Sequence, residues 1–231
     1  MHHLLEVHKD LVPLIYRTLR YTESNHIVDL CSGSGGPIYK TFEILRDTYG
    51  LNDLSIVLTD LYPDLELAHK INNVPSTSVT YKTQPVDATE VDHSMKGVRT
   101  MVSSFHHMRP EIARNILEDA QQSRQPICIF EISDNSAPGL IRWIGLPVNF
   151  LMTWFITPMT RPITWQQLIF TYLVPVIPLC FAWDGVVSNA RTYTLDDMDY
   201  LLDGLESDKY KWEKGTIPGK MNKLYLLGYP V

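Results

Sequence analysis

The eleven residues Ile27-Val28-Asp29-Leu30-Cys31-Ser32-Gly33-Ser34-Gly35-Gly36-Pro37 constrain this chain more than any other stretch. An apolar run breaks into an acid, then small residues, then glycines, which is the pattern of a buried strand turning sharply into a helix. Gly33, Gly35 and Gly36 remove the Cβ atoms that would hold a ligand off the backbone, and a helix starting near Ile38 would aim free N–H groups at the same place. That geometry suits a nucleotide-like ligand with an anionic end. A dinucleotide fingerprint needs a further glycine where Ile38 stands, and a phosphate-binding loop of the G-K-[ST] kind needs a lysine earlier than Lys40. Both fit poorly.

The flanking chain alternates between strand and helix signals. Leu4, Leu5, Leu11, Leu14, Ile15 and Leu19 recur at helical spacing, so an amphipathic helix over 4–20 precedes the first strand, and 1–24 forms a helical cover on the ligand's open side. Residues 27–31 are the first strand and 39–49 the first helix of a βαβ unit. Leu54 to Asp60 is a second apolar run ending in an acid, 31 residues after Asp29, as one βαβ unit requires. Asp60 would point its carboxylate into the crevice, where its oxygens can accept both ribose hydroxyls. Val98 to Phe105 gives a fourth strand running into His106 and His107, residues 110–122 give a helix, and Gln125 to Ile132 gives a fifth strand with Glu131 and Asp134 near its end. Adjacent imidazoles at that edge could take a proton from a substrate hydroxyl, with Glu131 orienting one of them. Equally, one ring packs beneath a ligand while the other hydrogen-bonds a loop.

Between Arg142 and Asp184 Arg161 is the one charged residue, leaving uncharged runs of 18 residues (143–160) and 22 residues (162–183). Such lengths permit spanning helices, but Pro147, Asn149, Pro158, Gln166, Gln167, Pro175 and Pro178 are costly in hydrocarbon. Three readings stay open: an apolar cap over a substrate pocket, an interfacial membrane contact, and true spans. The cap is favoured. Asp184-Gly185 then reads as a turn, Thr194 as the cap of a helix with Asp196 and Asp197 in its first turn, and Tyr210–Thr216 with Asn222–Tyr229 as an antiparallel pair joined at Pro218-Gly219. At 231 residues with 45% apolar content, the chain supports one sizeable α/β core, a single domain over 1–231. A net charge of −6 argues against nucleic acid as a partner. Cys31, Cys128 and Cys180 are dispersed without metal or redox spacing, and the N-terminus lacks a signal-peptide pattern, which together fit a reducing, cytoplasmic setting.

Asp29 followed by a loop carrying Gly33 and Gly35 resembles motif I of the class I S-adenosylmethionine-dependent methyltransferases, an acid at the end of the first strand followed by x-G-x-G-x-G. Cys31 stands where that motif has its first glycine. Asp60 and the pair Asp87-Ala88, within Thr83 to Thr89, fall at the following positions of the family pattern. The segments Asp29–Gly33, Thr59–Pro63, Ser103–His107 and Trp183–Ser188 are similar to a group of bacterial class I methyltransferases.

The resemblance implies an α/β, Rossmann-like sheet of seven strands in the order 3-2-1-4-5-7-6, the last antiparallel, with an apolar substrate cap over 140–190 inserted after strand five. It implies S-adenosylmethionine as methyl donor, S-adenosylhomocysteine as product and no metal. Asp29 would bind the donor's ammonium group, and Cys31, Ser32, Gly33, Ser34 and Gly35 would approach its amino-acid end. Asp60 with Leu61 would hold the ribose, Asp87 with Ala88 the adenine, and Ser103 and Ser104 would lie beside the methyl group. His106, His107 and Glu131 are the catalytic candidates for transfer to an oxygen or nitrogen. Trp143, Phe150, Trp154 and Tyr172 of the cap, with Arg191 and Tyr193, would seat a small apolar or aromatic acceptor. If 140–183 instead faces a bilayer, the implied enzyme is membrane-peripheral with a lipid-like acceptor. Without an acceptor channel, the chain would bind the donor and transfer nothing.

Overall fold

Alternation along short apolar strands sets the architecture, which the computed structural model describes for residues 6–75, 78–133, 135, 139–219 and 222–231. From the N-terminus the elements are α1 (His8–Leu19), β1 (His26–Asp29), α2 (Gly36–Asp47), β2 (Ser55–Leu58), α3 (Leu65–Asn72), β3 (Val79–Tyr81) and β4 (Val98–Val102). Then follow α4 (Pro110–Gln122), β5 (Ile127–Glu131), α5 (Gly139–Ile156), α6 (Trp165–Leu168), α7 (Val176–Arg191), α8 (Leu195–Leu202), β6 (Tyr210–Ile217) and β7 (Lys223–Pro230). Leu4, Leu5 and Asp134 lie outside the described residues.

In β1 Ile27 enters the core on one side of the sheet and Val28 the core on the other; in β5 Cys128 and Phe130 share the first face, Ile127 and Ile129 the second. Strands buried on both faces need helices on both. α1, α2 and α3 cover the first through Leu11, Ile15, Phe42, Leu45 and Ala68. α4 and α8 cover the second through Ala113, Ile116, Leu117, Met198 and Leu201. Each fully buried aliphatic or aromatic side chain of this kind contributes about 1.5–3 kcal/mol.

The seven strands run in the order β3-β2-β1-β4-β5-β7-β6. The first five are parallel, and β7 pairs antiparallel with both β5 and β6. This is the strand order expected above. The chain leaves β1 for β2 on one side and later returns to β1's other side as β4, so the order reverses between them, where open α/β sheets bind ligands.

The boundaries differ from the sequence reading in instructive ways. β1 ends at Asp29, not at residue 31, because Cys31 adopts φ +53° and leaves the ladder. β4 ends at Val102, because Ser103 has φ +56° and 105–107 form a single 3-10 turn. Asp184-Gly185 is not a turn: both lie inside α7. A Cβ on Gly185 would fall 2.7 Å from the Asn149 Nδ2 of α5, so the glycine serves close helix packing. Among the described residues no single helix is long and apolar enough to cross a membrane. Residues 165–173 and 176–191 pass that test only as a pair, bent by 77°.

Candidate active site

The turn after β1 is tied down from below. The Leu30 N–H donates to the Thr100 carbonyl at 2.8 Å and the Ser32 N–H to the Thr59 carbonyl at 2.9 Å. The Ser32 hydroxyl donates to the Asp29 carbonyl at 2.8 Å and accepts from the Thr59 N–H at 3.1 Å. Held this way, the backbone passes through positive φ at Cys31, Gly33 (+51°), Gly35 (+84°) and Gly36 (+41°). A Cβ on Gly33 or Gly36 would meet nothing within 4 Å, so the upper side of the turn faces open space. At Gly35 it would lie 2.0 Å from the Tyr39 ring. Cys31 adopts a conformation that a glycine would take freely, at a cost of about 1–2 kcal/mol for its side chain.

Three acids converge on this turn. Burial, then the carboxylates of Asp60, Asp29 and Asp87 in that order, push the Cys31 thiol up to about 12. Asp29 is 3% exposed, and its Oδ1 accepts from the Thr100 hydroxyl at 2.6 Å. Burial pushes its carboxyl up to about 7, against hydrogen bonds from Ser32 and Thr100, with the Asp60 charge adding to the rise. A buried carboxyl so poised favours a cationic neighbour, which would return it to the ionised form. Asp60 braces the turn from the end of β2: its Oδ2 accepts from the Gly33 N–H at 2.9 Å and its Oδ1 from the Tyr62 N–H at 3.0 Å. Each oxygen keeps a lone pair for a ligand hydroxyl. The Tyr81 hydroxyl donates to the Gly33 carbonyl at 2.9 Å.

Asp87 is exposed and folds its Oδ1 back onto the Thr89 N–H (2.8 Å) and hydroxyl (2.7 Å), beside a cavity of about 210 Å³ that it lines with Gln84, Val86 and Met95. Ala88 is buried in the second core; Ser34 and Leu61 are exposed. At the end of β4 the Ser103 and Ser104 hydroxyls are buried without a hydrogen-bond partner.

A second group gathers where β4 and β5 end. His106 Nδ1 lies 2.7 Å from Glu131 Oε2, and Glu131 Oε1 accepts from the His106 backbone N–H at 3.2 Å. A carboxylate only accepts, so Nδ1 carries the hydrogen and Nε2 is left as the basic nitrogen. The Ser188 hydroxyl of α7 stands 2.8 Å from that Nε2. His106 and Glu131 are buried, while His107, with its ring 4.1 Å from that of His106, is exposed. Both histidines line a cavity of about 470 Å³ together with Met108, Arg191 and Tyr193. The Tyr193 hydroxyl donates to the Met108 carbonyl at 2.7 Å, fixing one wall. Sequence reasoning missed Ser188, because taking Asp184-Gly185 as a turn removed it from a helix. An uninterrupted helical register through 176–191 would have carried it to the sheet.

The structure thus brings Arg191 and Tyr193 to the histidines. The hairpin aromatics lie elsewhere: Trp143, Trp154 and Tyr172 are exposed, Phe150 packs 5.8 Å from the Trp154 ring, and the Tyr172 hydroxyl donates to the Trp154 carbonyl at 2.6 Å. None of them lines the histidine cavity. Among the described residues no group of three or more His, Cys, Asp or Glu side chains forms a candidate metal site.

Strand order, crevice and turn together define the Rossmann-like class I methyltransferase fold. Solved structures with this fold match nearly the whole chain at low identity. The plantazolicin methyltransferase BpumL, solved with SAH, is 12% identical at a TM-score of 0.58, covering 99% of this chain and 87% of its own. The O-methyltransferase NcsB1 from neocarzinostatin biosynthesis, solved with S-adenosyl-L-homocysteine and 1,4-dihydroxy-2-naphthoic acid, is 12% identical at 0.56, covering 100% of this chain and 56% of its own. The small RNA methyltransferase HEN1 is 13% identical at 0.56, covering 96% of this chain and 25% of its own. No protein-family model and no curated protein matches the sequence.

Proposed function

We propose that this protein is an S-adenosylmethionine-dependent methyltransferase acting on an oxygen or nitrogen of a small apolar or aromatic acceptor. The observation that carries this reading is the glycine turn with an open upper side, flanked by Asp29 at the end of β1 and by Asp60, which accepts from the Gly33 N–H and whose carbonyl ties down the Asp87 segment through the Val86 N–H. An acidic, backbone-lined crevice suits a nucleoside that carries positive charge. Asp29 binds the ammonium group, Asp60 the ribose and Asp87 with Ala88 the adenine edge. Cys31, Ser32, Ser34 and Leu61 shape the surrounding wall, and Ser103 and Ser104 lie at the end of β4 behind the reacting end. When bound, the donor supplies a methyl carbon already activated by its sulfonium.

The chain's remaining task is to hold an acceptor in line and take its proton. Glu131 fixes the tautomer of His106, whose Nε2 accepts the proton once the acceptor competes with Ser188 for it. His107, Arg191 and Tyr193 form the acceptor's walls. The fold also hosts an RNA methyltransferase, but a net charge of −6 runs against a polyanionic acceptor. The oriented histidine beside a cavity favours transfer over mere binding of the donor. All three cysteines are free, in keeping with a cytoplasmic setting.

Calorimetric titration with S-adenosylhomocysteine tests the donor half. Micromolar binding that is lost in Asp60→Ala is expected; a folded protein that binds none would sink the reading. Methyl release with a panel of naphthols and anilines then tests the acceptor half.

A further inference from the structure

We propose that the helical hairpin of α5, the 157–173 connection and α7 is a bilayer-interface anchor, lying in the plane of a phospholipid membrane with its outer faces among the acyl chains. This rests on the hairpin's own surface and not on the transfer reaction. The two helices are antiparallel: Gly145 of α5 faces Val186 of α7, Asn149 faces Gly185, and the Thr157 and Thr171 hydroxyls meet at 3.3 Å in the connection. Their inner faces are therefore spent on each other. α7 roots the hairpin at the sheet through Ser188, and a helix of 18 residues carries the far end about 27 Å away.

Outward, the surface is apolar on both sides. On α5, Trp143, Ile144, Val148, Leu151, Trp154 and Phe155 are exposed over an arc of about 140° at 100° per residue. On α7, Val176, Leu179, Phe181 and Trp183 are exposed over an arc of about 200°, which becomes polar only at the sheet end, where Asp184 is exposed and Ser188 meets His106. In the connection Leu173 is 77% exposed. Patches of this extent mark interaction surfaces. Because the two arcs face away from each other, one flat partner, a second copy included, would cover one and leave the other in water. A fluid apolar medium covers both.

Charge agrees. From 143 to 183 the chain carries a single charge, Arg161, whose Nη1 donates to the Pro158 carbonyl at 3.2 Å at the hairpin's far end. Its long stem lets the guanidinium reach a headgroup phosphate while its neighbours stay among the chains. Trp143, Trp154 and Trp183 along the arcs and Tyr172 in the connection suit that boundary. Among the described residues no single helix is long and apolar enough to span, and residues 165–173 and 176–191 meet at a bend of 77°, a shape that an in-plane hairpin accommodates without a continuous span. With a net charge of −6, attraction comes from apolar burial and owes little to anionic lipid.

Four of the five tryptophans (Trp143, Trp154, Trp165, Trp183) sit in this hairpin, so intrinsic emission reports on it directly. The purified full chain is mixed with phosphatidylcholine vesicles and floated, with emission recorded with and without brominated acyl chains. Expected are co-flotation that persists in about 0.5 M salt, a blue shift on vesicle addition, and quenching by bromine. The double variant Phe155→Glu with Leu173→Glu, both outward-facing, keeps its circular dichroism and melting temperature while its vesicle-bound fraction falls at least about tenfold. Failure of the native chain to float would overturn the proposal. So would flotation confined to anionic vesicles and reversed by salt, equal flotation of the double variant, or emission already blue in a lipid-free dimer and unchanged by vesicles.

Discussion

The donor turn and the apolar hairpin are built on opposite terms. Around 29–36 the backbone is tied down at several points: Leu30, Ser32 and Gly33 donate to Thr100, Thr59 and Asp60, and Gly35 donates to the Ser32 carbonyl within the turn. The hairpin between Gly139 and Arg191 has few polar ties beyond its own helices, and its large side chains stand in the open. One region is organised by what the chain puts inside it, the other by what surrounds it. The hairpin reaches the sheet at His106, which Glu131 of β5 holds and Ser188 of α7 touches.

The largest expected effect lies at that meeting point. His106→Ala should lower methyl turnover by about 10²–10⁴ with S-adenosylhomocysteine affinity unchanged, and Glu131→Gln should follow in the same direction with a smaller loss. Single-turnover rates beside calorimetry separate the two quantities. Equal loss of turnover and affinity in His106→Ala would mean that the histidine supports the donor turn, and the division between the regions would be drawn in the wrong place.

Next comes pH. Asp29 ionises at about 7 in the folded chain against an ordinary 3.8, so the folded state holds its proton more tightly. Its contribution to stability is fully present below the ordinary value and is lost as pH rises through 7, about 4 kcal/mol in all. A bound ammonium needs the ionised form, so donor affinity should run the other way, rising about thirtyfold between about pH 5.5 and about pH 8. Asp29→Asn should flatten both profiles. Melting curves and titrations at matched pH check the signs independently.

Smaller still is a contrast within the turn. Gly35→Ala places a methyl against the Tyr39 ring at φ +84°, and should cost more stability than the about 1–2 kcal/mol of the backbone conformation alone, as well as affinity. Gly33→Ala carries a similar backbone cost at φ +51°, but its methyl enters open space. It should therefore weaken S-adenosylhomocysteine beyond what its melting temperature accounts for. Parallel losses in both variants would mean that the open side of Gly33 is not where the donor lies.

These contrasts bear on what could be read from the sequence. The seven-strand order came with the family resemblance and not from any local pattern. The strand-end positions of Asp29 and Asp60 and the glycine turn were legible because each follows a local rule, an acid at a strand end or a residue without Cβ where φ turns positive. The capping box at Thr194 and Asp197 was legible for the same reason. A pairing of Glu131 with one of the two histidines was expected from strand neighbours, though that it is His106 and not His107 was not. Ser188 was illegible because its role depends on where a helix packs, and the Gly185 that allows the packing looks in sequence like a turn. The aromatics of 143–172 were read as pocket walls because they follow strand five, where the resembled family carries its substrate insertions, with a membrane contact left open as the alternative. Their exposure depends on tertiary placement, which no local pattern carries.

The smallest effect gives the sharpest test of the contrast. Phe155 is 74% exposed on α5, so Phe155→Ser in detergent-free, lipid-free solution should change stability by no more than about 0.5 kcal/mol, a shift of at most about 2 °C in melting temperature for a chain of this size. A buried phenylalanine would cost several times more: in the first core Phe42→Ser should remove about 3–5 kcal/mol by cavity formation alone. The ratio between the two is the measurable form of the comparison. If Phe155→Ser costs as much as Phe42→Ser, the outer arc of α5 is already covered in solution, and the hairpin is organised from within after all.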